Sequence, residues 1–247
     1  IGGIIKGSNG RVYGTTSKGG ANGLGTAFQL DANGNNFIKM AEFIYDTIGS
    51  DPRGSLVETS NGKFIGMAYS GGLFGFGSIY EIDPTLPAPS TPVQKLALSS
   101  GLGTYPRGGL IKANNGKYYG LTSSGGANSD GVLFEYNPTT NNYIIRHEFS
   151  SLINGSAPIG DLVQAANGSL YGFTTGGGAN TGGVIFKYNP IDSSFSKVHD
   201  FAITTGISPE GNMTFNPTNG LFYGMTKLGG NNSRGVLFSF NPLTNTY

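Results

Sequence analysis

The chain of 247 residues contains no cysteine and no tryptophan, and only 12% of its residues are charged. Without cysteine there are no disulfides, no thiolate metal sites and no cysteine nucleophiles. Its 15 basic and 14 acidic residues leave a net charge of +1, and no segment concentrates lysine or arginine. We therefore expect no nucleic-acid partner. No apolar run is long enough to cross a bilayer, so we also expect no membrane insertion.

Glycine is abundant, with 43 residues, and it recurs in a repeated pattern. A pair formed by an apolar residue and glycine precedes a Gly-Gly loop five times, with a spacing of 52 to 54 residues. The first members of these pairs are Tyr13, Ile65, Tyr119, Tyr171 and Tyr223. The surrounding text agrees as well, as in "YYGLTSSGGANSDGVLFEYN" and "LYGFTTGGGANTGGVIFKYN". Five such copies predict a repeat architecture.

Each copy is predicted to form four short antiparallel strands. A short apolar strand leads into an Asn-Gly pair, the strongest short hairpin signal, and then into the Tyr-Gly strand. The third strand alternates with period two, as in Phe134 and Tyr136 on one face and Leu133 and Glu135 on the other. Both faces are partly apolar, which a sheet packed between two neighbouring sheets requires. Asn-Pro or Asp-Pro turns lead to the fourth strand.

A period near 50 residues with four antiparallel strands predicts an all-β fold, a β-propeller of five blades. We expect one domain over residues 1–247, with repeats at 1–53, 54–107, 108–159, 160–210 and 211–247. Tyr247 aligns with Tyr143, the first residue of a fourth strand, so the last blade is predicted to lack its outer strand. Two alternatives remain: packing of the last sheet on the first closes the ring, or the five repeats belong to a longer array.

The pattern "YG-T--GG----G--F" resembles the glycine-rich tandem repeat of bacterial choice-of-anchor GloVer proteins. Four copies fit it closely, whereas the second has Ile65 in place of Tyr and Ala68 in place of Thr. The resemblance implies a secreted or surface-anchored bacterial protein, often modular. It supplies no catalytic or binding residues.

The Gly-Gly loops and the long crossings between repeats should lie at the same end of the ring, which we predict to be the functional end. A repeated sugar site there would use the loop asparagines and nearby tyrosines. These residues are Asn22, Asn128, Asn180, Asn231, Tyr13, Tyr119, Tyr171 and Tyr223. The alternative is that glycine and asparagine only satisfy the loop backbone and the tyrosines fill the space between sheets.

Two further groups of residues could bind at this end. Arg53 and Arg107 hold equivalent positions and could clamp an anionic sugar or carboxylate, although a structural salt bridge is an alternative. The second Gly-Gly loop reads "GGLFGFG", so Leu73, Phe74 and Phe76 replace small or polar residues. Apolar side chains on a loop tip indicate a protein partner, unless they fold back over the sheet edge.

Catalytic chemistry is missing from the pattern. His147 and His199 occupy equivalent outer-strand positions in adjacent repeats, which favours a structural role over a shared metal. The carboxylates are scattered, and none recurs in all five repeats. We predict no enzyme activity and no cofactor. The leading hypothesis is an extracellular or cell-surface module that binds a glycan or a surface or secreted protein. The alternative is a structural or assembly module of an adhesin or of a larger polypeptide or complex.

Overall fold

The computed structural model describes residues 3–247 and confirms the all-β prediction. Twenty strands form five antiparallel sheets, and no helix occurs in the described residues. Accordingly, no helix there could span a membrane. The five sheets follow one another in chain order, one for each sequence repeat, which is the arrangement that the repeat pattern predicts.

The strands of the first three sheets are short. The first sheet contains β1 (Ile5–Lys6), β2 (Val12–Thr16), β3 (Thr26–Leu30) and β4 (Ile38–Glu42). The second contains β5 (Ser50–Pro52), β6 (Val57–Glu58), β7 (Phe64–Ser70), β8 (Ser78–Ile82) and β9 (Val93–Ala97). The third contains β10 (Ile111–Lys112), β11 (Tyr118–Thr122), β12 (Val132–Asn137) and β13 (Asn142–Glu148).

The last two sheets have longer first strands, because residues of the preceding crossing also pair with the second strand. The fourth sheet contains β14 (Ser156–Gln164), β15 (Leu170–Gly176), β16 (Val184–Tyr188) and β17 (Phe195–Asp200). The fifth contains β18 (Ile207–Asn216), β19 (Leu221–Leu228) and β20 (Leu237–Phe240). The fifth sheet therefore has three strands, as the alignment of Tyr247 with Tyr143 predicts.

The Asn-Gly pairs form the turns between the first and second strands. In the third sheet Gly116 has a φ of 78°, which glycine adopts without a steric penalty. The Oδ1 atom of Asn115 accepts the N–H of Lys117 at 3.1 Å. The same bond forms on Asn9, Asn61, Asn167 and Asn219. Each turn is thus closed by its own side chain, which explains why the pair recurs.

The glycine of each Tyr-Gly pair makes room for the aromatic residue of the third strand. Gly120 lies opposite Phe134 in the register of β11 and β12. A Cβ atom on Gly120 would lie 2.5 Å from Cζ of the Phe134 ring, far inside van der Waals contact. The two positions are therefore tied together, and the pair repeats in every sheet.

At each of the four interfaces between consecutive sheets, one face of a sheet packs on the opposite face of the next. Tyr13 and Ala27 of the first sheet pack with Phe64 and Tyr80 of the second. The same four positions meet at the next three interfaces: Ile65 and Ile79 with Tyr118 and Phe134, Tyr119 and Leu133 with Leu170 and Phe186, and Tyr171 and Ile185 with Phe222 and Phe238. Strand periodicity of two makes both faces apolar, as the sequence indicated.

The last sheet does not pack on the first in this structure. Within residues 3–247, no hydrogen bond, aromatic pair or buried cluster joins the fifth sheet to the first. Closure of the ring by direct packing, one of the two alternatives from the sequence, is therefore not observed.

Candidate functional site

The Gly-Gly loops bind the crossings, meaning the segments that connect the last strand of one repeat to the first strand of the next. The second glycine of a loop donates its N–H to a carbonyl of the preceding crossing. These bonds run from Gly72 to Tyr45 (2.6 Å), Gly126 to Ser100 (2.8 Å), Gly178 to Ser151 (3.0 Å) and Gly230 to Ile203 (2.8 Å). Loops and crossings thus share one end of the molecule, here called the long-loop end.

Asparagines and acids of this region also hold the loops in place. We call these bonds, together with those from the second glycines, the loop clamps. The Asn22 and Asn128 amides donate to the carbonyls of Phe43 and Phe149, at 3.1 and 2.9 Å. Carboxylates at the end of the fourth strands accept the N–H of the residue after Gly-Gly. These acceptors are Glu42, Glu148 and Asp200. Asn180 and Asn231 lie exposed on their loops, and Asn231 borders a shallow cavity of about 340 Å³. The recurrent loop motif is therefore explained by structure, without a ligand.

The structure places the tyrosines away from these loops. The rings of Tyr13, Tyr119 and Tyr171 are 0% exposed between sheets, and Tyr223 is half-buried. The hydroxyls of Tyr13, Tyr119 and Tyr223 accept bonds from the asparagine of the Asn-Gly turn, at 2.7, 3.0 and 2.8 Å. That turn lies at the end opposite the Gly-Gly loops, so the predicted pairing of loop asparagine with tyrosine is not formed. Burial raises the pKa of Tyr119 to about 12.

A cavity of about 980 Å³ opens at the axis of the long-loop end. We call this cavity the mouth, and all five sheets contribute to its wall. Its lining residues come from the crossings and from the ends of the second strands. They are Gly3, Ser17, Lys18, Asp51, Arg53, Ser55, Arg107, Ile159, Gly160, Asp161, Thr175, Ser208, Glu210, Gly211, Asn212, Lys227 and Leu228. Most of these side chains are small or polar, so the mouth suits a hydrated, polar ligand better than an apolar one.

Arg53 and Arg107, both singled out from the sequence, converge in the mouth on the ring of Tyr69. The guanidinium carbon of Arg53 lies 3.6 Å from the ring centroid, and that of Arg107 lies 5.7 Å away. Tyr69 in turn contacts Tyr105, with ring centroids 5.4 Å apart. Arginine over a tyrosine face is a favourable cation–π contact. We call these four residues the Arg–Tyr cluster.

Only one arginine of the cluster is neutralised. Nε of Arg53 donates to the Asp51 carboxylate at 2.9 Å, whereas Arg107 is exposed and has no acidic partner among residues 3–247. The predicted structural salt bridge thus holds for Arg53, while Arg107 keeps its hydrogen-bond donors accessible. Two guanidinium groups beside one carboxylate leave a local excess of positive charge, which favours an anionic ligand.

The cluster is specific to the first repeat, which supplies Arg53, and the second repeat, which supplies the other three residues. Where Arg53 and Arg107 stand, the third and fourth repeats have Ile159 and Glu210. Where Tyr69 stands, the other repeats have Ser17, Ser123, Thr175 and Lys227. Glu210 and Lys227 form an ion pair of their own at 2.9 Å. Sequence reasoning missed Tyr69 and Tyr105, although each is the only aromatic residue at its repeat position.

Asp161 lies on the same axis but is held by the protein. Its carboxylate accepts the N–H of Gly109 and the amide of Asn212, the latter at 2.9 Å. Burial raises the pKa of Asp161 above the usual range for an aspartate, and the two donors oppose that rise. Its carboxylate is therefore engaged by Gly109 and Asn212 rather than by the cations of the mouth.

The crossings beside the mouth have an uncommon backbone conformation. The residue before each crossing proline has a positive φ, although none of these residues is glycine. The values are 57° at Asp51, 56° at Tyr105, 52° at Ala157 and 53° at Ser208. Backbone strain of this kind persists only where the surrounding structure enforces it, and it is common at functional sites. Here the clamps from the Gly-Gly loops supply that enforcement.

The second loop and the two histidines lie outside the mouth. Leu73 and Phe74 are 68% and 56% exposed at a loop tip, whereas Phe76 is half-buried against Tyr105, with centroids 5.9 Å apart. His147 stacks on Phe195 of the next sheet, with centroids 3.3 Å apart. His199 stacks in the same way on Tyr247, at 4.1 Å. No group of three histidines and acids within residues 3–247 could hold a metal ion.

Comparisons with known proteins agree with this architecture. A family model described as the Gloeobacter/Verrucomicrobia repeat matches residues 1–154 and, in an overlapping second match, residues 88–247. The two matches together span the chain, in keeping with the resemblance stated from the sequence. No curated protein matches the chain.

Several solved structures are similar at low identity. TolB from Acinetobacter baumannii is 13% identical with a TM-score of 0.57, and the match covers 98% of this chain and 52% of TolB. The nidogen/laminin complex is 14% identical with a TM-score of 0.58, covering 98% and 81%. A putative 6-phosphogluconolactonase from Bacteroides uniformis is 17% identical with a TM-score of 0.57, covering 98% and 67%. These likenesses show the fold alone, a repeat β-domain similar to β-propellers.

Proposed function

Because the chain belongs to the Gloeobacter/Verrucomicrobia repeat family, we propose that it is a non-enzymatic, extracellular binding module. Its ligand is an acidic glycan of a cell surface, held in the mouth of the long-loop end. The observation that carries this proposal is the convergence of Arg53 and Arg107 on Tyr69, with an acidic partner for Arg53 alone.

A carboxylate-bearing sugar matches the chemistry of the cluster. The planar guanidinium of Arg107 presents paired N–H donors to a carboxylate. The rest of the mouth offers hydroxyls, backbone N–H groups and amides, such as those of Ser55, Ser208 and Asn212. Sugar hydroxyls need such partners, and more than half of the surface that the mouth exposes is polar.

The asymmetry of the mouth supports a dedicated site. The bond from the second glycine of a loop to the preceding crossing recurs in four repeats, as a feature of the fold does. The Arg–Tyr cluster occurs in two adjacent repeats only. A feature that the fold does not require, placed on a rigid scaffold beside an open cavity, is typical of a binding residue.

Calorimetric titration with a galacturonate oligosaccharide, compared with a neutral glucan of equal length, tests the proposal. We expect binding of the acidic oligosaccharide alone, weakened by added salt. Arg107→Gln should lower the affinity by about 10- to 100-fold, the loss expected for a charge-assisted hydrogen bond. Arg234→Gln, which removes an exposed arginine outside the mouth, is the matched control and should bind as the wild type does. Equal binding by the Arg107 and Arg234 variants, or no binding of either sugar, would contradict the proposal.

A second candidate function, assembly with a surface or secreted protein, is favoured by the exposed loop tip of Leu73 and Phe74. The double change Leu73→Ser with Phe74→Ser should release the protein from such a complex and leave the melting temperature nearly unchanged. Sedimentation of the complex from native extracts measures the first effect. Unchanged sedimentation of the double variant rules out a contact at this tip.

A further inference from the structure

The four interfaces between consecutive sheets are built from the same two faces. We call the face that a sheet turns toward the next sheet its trailing face, and the face toward the preceding sheet its leading face. At the interface of the second and third sheets, Met67 and Ile79 belong to the trailing face and Leu110 and Phe134 to the leading face. All four are at most 6% exposed.

The trailing face of the last sheet has no such cover. Met225 holds the repeat position of Met67, yet it is 62% exposed, compared with 2% for Met67. Leu237 holds the position of Ile79 and is 72% exposed, compared with 0%. Both positions thus keep an apolar residue although most of its side chain is exposed to solvent. Adjacent exposed apolar residues of this kind indicate an unoccupied interface.

The leading face of the first sheet is uncovered in the same way. Ile4 holds the position of Leu110 and is 67% exposed, compared with 6%. Phe28 holds the position of Phe134 and is only half-buried, stacked on the exposed ring of Phe37 at 5.6 Å. The two ends of the chain of sheets thus expose the two complementary halves of one interface.

Backbone contacts between consecutive sheets at the axis also stop at the last sheet. A Cβ atom on Gly108 would lie 2.0 Å from the Gly160 carbonyl oxygen, and one on Gly160 would lie 2.2 Å from that of Gly211. For a Cβ atom on Gly211, the equivalent residue of the last sheet, no atom of residues 3–247 lies within 4 Å. The N–H of Asp161 likewise donates to Asn212 of the next sheet at 2.8 Å. This series of axial contacts therefore ends at the last sheet.

We propose that the trailing face of the last sheet and the leading face of the first dock a further four-stranded sheet of the same repeat, supplied by the same polypeptide. The internal interfaces identify the occupant, because each pairs these residue positions with each other. Lys227 of the last sheet and Ser17 of the first border one mouth, so the two uncovered faces belong to the same arrangement of sheets around it. This inference is independent of the proposed ligand.

Extension of the chain by one repeat tests the proposal. Tyr247 aligns with Tyr143, so a copy of residues 144–195 appended after Tyr247 supplies the missing outer strand and three strands of a further sheet. Peroxide oxidation of methionine, followed by mass spectrometry, then reports cover of Met225, with Met67 as a buried reference in the same molecule. We expect oxidation of Met225 to slow by about tenfold or more in the extended chain, since sulfoxide formation follows exposure.

A matched extension carries Leu162→Ser and Phe186→Ser within the appended copy, which removes its leading face. Met225 should then oxidise as fast as in the 247-residue chain. Equal rates for the intact and the altered extension would overturn the proposal. So would protection of Met225 in the unextended chain, either at monomer mass, which would mean direct closure of the ring, or together with a doubled mass in sedimentation, which would mean a second copy.

An N-terminal extension keeps the test decisive if the first extension does not fold. A copy of residues 55–106 placed before Ile1 supplies a sheet whose trailing face meets Ile4. Backbone hydrogen exchange of Ile5 and Lys6 should slow in this variant. Unchanged exchange in a folded variant would contradict docking at the first sheet.

Discussion

The third and fifth sheets have nearly the same sequence pattern but different surroundings. In the third sheet Leu133 is 0% exposed, because the fourth sheet covers it. In the fifth sheet Leu237 holds the same position and is 72% exposed. Both sheets nevertheless form the same hairpins, with glycine opposite phenylalanine in the register. The difference teaches that the repeat encodes the sheet, while the neighbouring sheets supply most of the stabilisation that each position receives.

An aspartate at this position should separate the two sheets most strongly. Leu133→Asp places an unpaired charge in the core and should cost more than about 4 kcal/mol, enough to abolish a cooperative unfolding transition. Leu237→Asp should change the free energy of unfolding by less than about 0.5 kcal/mol, as at other exposed positions. Urea denaturation followed by circular dichroism measures both. Similar losses in the two variants would show that the last sheet is covered in solution.

Substitution of the equivalent glycines at the axis should also distinguish a covered sheet from an uncovered one. Gly108→Ala forces a Cβ into the Gly160 backbone and should destabilise the protein by about 3 kcal/mol, the upper range for overpacking. Gly211→Ala meets no atom of residues 3–247 within 4 Å, so its cost there is limited to the strain of a φ of 82°, about 1 kcal/mol. The same urea titration measures which of the two variants loses more free energy of unfolding. A larger loss for Gly211→Ala would mean that another sheet already packs on this end.

The closed interface of the third and fourth sheets should also respond to pH through His147. Burial lowers the pKa of His147 to about 4, below the value near 6.5 of an unfolded histidine. Between these values the unfolded chain binds a proton that the folded chain does not, so stability should fall as pH drops from 6.5 to 4 and be unaffected above 6.5. Allowing for partial exposure, the loss should be on the order of 1–2 kcal/mol.

His147→Phe tests this, because phenylalanine keeps the stacking on Phe195 and removes the titration. Unfolding midpoints at pH 7 and pH 4.5 should lie closer together in this variant than in the wild type. The pKa of His199 is also lowered by burial. His199→Phe is therefore the comparison at the next interface and should leave the contribution of His147 in place. An unchanged pH dependence in His147→Phe would refute the assignment.

The smallest expected effect concerns the loop asparagines. Asn128 donates to Phe149 at the end of a fourth strand, and its replacement by alanine should cost about 1 kcal/mol. Asn231 belongs to the sheet without a fourth strand, so Asn231→Ala should cost close to nothing. Thermal melts of the two variants suffice. Equal melting temperatures of the two variants would show that the Asn128 hydrogen bond does not stabilise the fold.

Much of the fold could be predicted from the sequence because its determinants are local. The Asn-Gly turns close on their own side chains, and Gly120 with Phe134 follows from strand pairing. The three-stranded last sheet follows from alignment alone. The position of Arg53 and Arg107 at the long-loop end follows from counting connections. These features depend on residues near each other in the chain or related by the repeat.

The candidate site could be predicted only in part. Nothing in the sequence places Tyr69 beneath two arginines from successive repeats, since that contact depends on how neighbouring sheets rotate about the axis. The direction of the Asn128 amide, toward the Phe149 carbonyl rather than toward solvent, is likewise a tertiary outcome. Composition could not distinguish these possibilities, because the same residue types suit both.

By itself the sequence determined the number of sheets, their hairpins and the two apolar faces that each sheet must bury. Period-two alternation and glycine in tight turns act within one repeat, so they can be read without coordinates. Only the tertiary structure decided which faces are buried, that those of Met225 and Ile4 are not, and that the Arg–Tyr cluster borders an open mouth. Burial and convergence are properties of sheets arranged around an axis, and no single repeat contains them.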